Sequence, residues 1–115
     1  MTPARWEKLK AQAQDVVDQT ISELPPEIAA KAQKVPLLFE TESATDPDIL
    51  GIYNNFELDE VSASNGPIIL YLATIEDYCM EEGSNFAVEV RLTYLHELGH
   101  HLGWDEDDLE ARGLG

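Results

Sequence analysis

Apolar positions recur along this chain first at helical spacing, then in short unbroken runs, then at helical spacing again. Trp6, Leu9, Ala13, Val16, Val17, Ile21 and Leu24 follow the period of about 3.6 residues that gathers side chains on one face of a helix. Thr2 and Pro3 make a helix start. Pro25 and Pro26 make its end, because Pro25 disfavours helical geometry at Leu24 and neither proline donates a backbone hydrogen bond. A short helical piece is predicted over Glu27 to Gln33. In so small a chain an apolar stripe of this kind is a core face, so the first helix is expected to cover one face of a sheet.

The middle of the chain reads as strands. Val35 to Glu40 is the first, with Pro36 placing it at an edge or confining the proline to its beginning. Ile49 to Tyr53 is a short second strand, bounded by the loop Ser43 to Asp48 and the turn Asn54-Asn55. A polar connection from Glu57 ends in the turn signal Asn65-Gly66-Pro67, after which Ile68 to Leu72 is apolar throughout and belongs at the sheet centre. Thr74 to Glu82 predicts a helical turn or two, stopped by Gly83. The last helix carries Phe86, Val88, Val90, Leu92, Leu95, Gly99 and Leu102, a pattern for packing on a core, with Ser84 and Asn85 as N-cap and Gly103 as stop.

That last helix holds the candidate chemistry. His96 and His100 stand four residues apart with Glu97 directly after the first, the spacing H-E-x-x-H. Residues i and i+4 project from one helix face, so both imidazoles can converge on one metal ion. Glu97 can then take a proton from a zinc-activated water as it attacks a carbonyl. Glu89, Thr93, His96 and His100 form a polar stripe along the same helix. Gly103 allows a sharp turn that brings Glu106 back toward the metal as third ligand, with Asp107 and then Asp105 as the alternatives. Asp105 followed by Asp108 also reads as a capping pair, compatible with Glu106 as the first residue of a short final helix.

His96-Glu97-Leu98-Gly99-His100-His101-Leu102-Gly103, with the acidic cluster and Leu109 after it, resembles the H-E-x-x-H-H-x-G-x-x-D signature of small bacterial zincin-like metallopeptidases, the minimal zincins. Leu50 to Tyr53 and Pro67 to Tyr71 resemble the central strands of that family. The resemblance implies one α+β domain over residues 1–115, a short mixed sheet of about three strands packed against the N-terminal helix and the active-site helix. It also implies one zinc ion per chain. The departure is at the third ligand, where the family has Asp and this chain has Glu106. The motif is also similar to that of the metzincins, but those place a third histidine last and a methionine-bearing turn below the metal. Here the only methionines, Met1 and Met80, both precede the motif, and a shallow, open site with narrow or weak peptidase activity is expected.

Charge narrows the partners. Lys and Arg total 7 against 23 Asp and Glu, a formal charge of −16, which repels phosphate backbones and anionic lipid and so excludes nucleic acid and membrane. A peptide or protein substrate is expected, the oligomeric state is open, and a monomer suffices. Cys79 is the only cysteine, so no internal disulfide forms, and with acidic neighbours it reads as a packing residue. With neither a signal-peptide plan at the N-terminus nor a membrane-length apolar run, the expected location is the cytoplasm. Tyr53 is the first choice among four tyrosines to stabilise an oxyanion, against a structural role, and His101, turned away from the metal, is left a surface or supporting role. The functional expectation is a zinc-dependent metallopeptidase with Glu97 as general base. The alternative is a metal-binding zincin-like domain serving as a structural or adaptor module.

Overall fold

Helix α1 (Pro3–Glu23) starts at its cap: Thr2 is extended and its Oγ1 accepts a hydrogen bond from the Arg5 backbone N–H at 3.2 Å. The computed structural model describes residues 2–42, 51–53 and 67–103. Helix α2 (Pro26–Ala32) begins at the second of the two prolines, with Pro25 at its N-cap. Strand β1 (Leu37–Glu40) begins directly after Pro36, which stands outside the strand and whose carbonyl accepts from the Ile68 N–H at 2.8 Å. Strands β2 (Gly51–Tyr53) and β3 (Ile68–Tyr71) complete a mixed sheet in the order β1-β3-β2, with β1 parallel and β2 antiparallel to β3. β3 is thus central, as its unbroken apolar run requires. Ile49, Leu50, the Asn54-Asn55 turn and the Glu57–Gly66 connection lie outside the described residues.

The register sorts the sheet into two faces. Leu37 pairs with Ile68 and Phe39 with Leu70, and these four join the core, whereas Leu38 and Glu40 on the other face of β1 are exposed. Helix α3 (Leu72–Glu82) starts immediately after β3 and is longer than the turn or two its sequence suggests. Two effects extend it backward to Leu72. Leu72, Ile75 and Cys79 fall at helical spacing and are all buried, and the Thr41 carbonyl accepts from the Ala73 and Thr74 N–H groups at 3.0 and 3.3 Å, satisfying first-turn donors. Gly83 closes α3 in the left-handed region at φ 69°.

Helix α4 (Phe86–His101) occupies the middle of the molecule, against β2 and β3 on one side and α1 and α3 on others. Asn85 caps it, its Oδ1 accepting from the Val88 N–H at 3.2 Å. Val90, Tyr94, Leu95 and Leu98 are buried with Leu9, Ala13 and Val17 of α1 and Ile68 and Leu70 of β3. Each such Leu or Ile contributes about 1.5–3 kcal/mol by leaving water. The first helix was expected on the sheet, but its closest packing is onto α4. Three strands about 4.8 Å apart offer a face roughly one helix wide, and α4 takes it. Polar ties hold α1 in place. Arg91 Nη1 donates to Glu23 Oε1 at 3.0 Å and lies 3.4 Å from Thr20 Oγ1, and the Arg5 guanidinium pairs with Glu76 of α3.

Candidate metal centre

Packing α4 with Tyr94, Leu95 and Leu98 inward decides which of its faces opens. His96 is about 160° around the helix from Tyr94, so fixing the buried side turns the histidine outward. One turn later His100 follows it. Their rings lie with centroids 4.3 Å apart and planes at 66°, close to edge-on. Glu97 flanks the pair: its Oε1 is 3.9 Å from His100 Nδ1, and its side chain is 13% exposed against 37% for His100. A donor atom from each of His96, Glu97 and His100 lies within 4.8 Å of the others, and among the described residues no other group of three acidic, His or Cys side chains does this.

The remaining candidates separate. His101 is half-buried and not in the group; burial pushes its imidazole below the usual histidine range. Thr93, from the polar stripe, is buried, and Glu89 is half-buried. Tyr94 is only 2% exposed and burial pushes its phenol up to about 12, which makes it a neutral core residue rather than an acid at the site. Cys79 is buried, and its thiol is pushed up by burial first and by the Glu89 and Glu76 carboxylates after that, in keeping with a packing role. Tyr53 belongs to β2, which lies against α4, but its side chain is outside what is described. Glu106, Asp105 and Asp107 also lie outside the described residues.

Sequence periodicity missed two side chains on the open face. Val88 and Leu92, read as core positions, are 50% and 42% exposed. The signal was present in helix geometry: Leu92 sits only about 40° from His96, so a helix that opens its histidines also opens Leu92.

The profile of the zincin-like metallopeptidase family matches residues 21–115, a span that includes β1, β3, α3 and the whole of α4. The chain belongs to the zincin-like metallopeptidase family. A comparison with curated proteins finds no match. Zinc is the ion this family implies, and the donors suit it: two imidazoles and a carboxylate are zinc ligands by type. Tetrahedral ligands at about 2.0–2.1 Å from zinc stand roughly 3.3 Å apart, closer than the 4.8 Å within which the donors here lie. No described helix of this zincin-like metallopeptidase is long and apolar enough to cross a membrane.

Gly103 ends α4 and directs the chain onward. It stands at φ 82°, and its N–H donates to the His100 carbonyl at 3.0 Å. A Cβ added there would meet nothing within 4 Å among the described residues, and Gly103→Ala bears the cost of the left-handed backbone conformation. Urea unfolding of the metal-free chain is expected to show a loss of about 1–2 kcal/mol for this variant. An unchanged midpoint would mean that the left-handed turn is not maintained in solution.

Proposed function

We propose that this chain is a zinc-dependent metallopeptidase in which His96, His100 and Glu106 hold the ion and Glu97 is the general base. The observation that carries the reading is the convergence of His96, Glu97 and His100 on the open side of α4, in a chain of this family. A zinc ion, when bound, supplies a Lewis acid that lowers the pKa of water and polarises a carbonyl. His96 and His100, one turn apart on α4, present their imidazoles from the same side of one helix. Glu106, three residues after Gly103 in the sequence, adds a negative charge to the ligand set. Glu97 Oε accepts the proton that water loses on adding to the carbonyl carbon, then delivers it to the amine nitrogen as the C–N bond breaks. One water is consumed, and a carboxylate and an amine are released.

A second reading has its own support. Because a Glu97 carboxylate oxygen lies within 4.8 Å of a donor atom of each histidine, the second reading makes Glu97 a metal ligand itself, giving a structural centre with little or no turnover. The two readings diverge in Glu97→Gln and in Glu106→Ala. Elemental analysis of protein supplied with zinc is expected to find about one ion per chain in the wild type and a large loss in Glu106→Ala. Full zinc in that variant would transfer the ligand role to Asp107 or Asp105 or, if Glu97→Gln then loses the ion, to Glu97. A wild type that takes up no metal would end the enzyme reading.

A further inference from the structure

The open side of α4 carries more than donors. Val88, Leu92 and His96 are spaced four residues apart, so they form a line along one side of the helix, and the two apolar members are half exposed. Isolated exposed apolar side chains mean little. These two are in register with the histidine, and the line is continuous with a groove. Between α1 and α4 lies a cavity of about 340 Å³ whose lining includes Val16, Thr20, Val88 and the Arg91–Glu23 ion pair. Val88 therefore belongs to both the line and the groove.

The repeat of this line matches that of an extended peptide. Four residues of α-helix rise about 6 Å. Two residues of extended chain advance about 6.6–6.8 Å, and alternate side chains point the same way. A peptide laid along α4 with its reacting carbonyl at His96 therefore sets down one side chain at Leu92 and the next but one at Val88. Charge selects among such peptides: Glu89 and Glu97 flank the line on a chain of net charge −16, which disfavours acidic side chains there.

We propose that the substrate is an extended peptide with apolar side chains about two and four residues to one side of the cleaved bond, seated on Leu92 and at the Val88 groove. This rests on the zinc-peptidase reading above. The test is digestion of a random peptide mixture by the zinc-loaded wild type, with cleavage sites mapped by mass spectrometry. Leu, Ile, Val, Met or Phe should be enriched, and Asp and Glu depleted, at those positions. In Leu92→Ser the preference at the nearer position should fall about tenfold in kcat/KM, and in Val88→Ser that at the farther one, with zinc content and unfolding midpoint unchanged. Cleavage without such enrichment, or enrichment that survives both variants, would overturn the proposal and leave the peptidase reading standing. Binding to zinc-loaded Glu97→Gln separates the opposite failure. If a Leu-alternating peptide binds there, weakens about tenfold in the added Leu92→Ser variant, and is never cut by the wild type, the apolar line holds and peptidase activity does not. If it neither binds nor is cut, the line is not a peptide site.

Discussion

Glu97→Gln is expected to lower kcat/KM for peptide hydrolysis by about 10²–10⁴-fold, the range over which a positioned general base contributes, while the chain keeps its zinc. The amide preserves the shape and reach of the carboxylate but is not basic enough to take up a proton at neutral pH. Both imidazole donors come from His96 and His100, so replacing Glu97 removes neither of them. Steady-state kinetics with a cleavable peptide, run beside elemental analysis, reads both quantities. A variant that loses zinc together with activity would show Glu97 to be a ligand, favouring the structural centre. One that keeps wild-type turnover would remove Glu97 from the chemistry.

His96→Ala should remove the stabilisation that zinc confers. A ligand bound only by the folded chain, present at a thousandfold excess over its Kd, stabilises by about 4 kcal/mol. For a chain of this length that is a rise in Tm on the order of 15 °C. The imidazole is half-buried on the open side of α4, so truncation to alanine removes a donor without opening a cavity in the core, and the metal-free variant should unfold near the metal-free wild type. Thermal unfolding with and without added zinc, with a chelator control, gives the comparison. A zinc-dependent rise of similar size in the variant would place the ion elsewhere. A metal-free variant that melts far below the wild type would assign His96 a packing role.

Much of the site was legible because it is local. H-E-x-x-H on one helix needs no tertiary information: spacing puts His96 and His100 on one face, Asn85 and Gly103 mark the ends, and the structure has the helix and the left-handed turn at those places. β3 was legible as the central strand from its unbroken apolar run, and α1 from its stripe, cap and terminal prolines. Periodicity was less informative at Leu72, where one apolar residue continues a strand run and also opens a helical face. The donors on α3 decided it, met by the Thr41 carbonyl from a distant part of the chain.

Sequence by itself determined which donor side chains α4 carries and at what spacing, since residue type, spacing and helix ends are properties of neighbouring residues. Only the tertiary structure decided which way the motif helix faces. Nearly every side of α4 carries apolar residues, so its own pattern names no single buried face. The choice was made by the partners that claim the other sides: β2 and β3 of a sheet one helix wide, then α1 and α3. Those contacts bury Tyr94, Leu95 and Leu98, open His96 and His100, and leave Val88 and Leu92 at the surface beside them, because burial is settled by what packs against a side chain and not by its hydrophobicity alone.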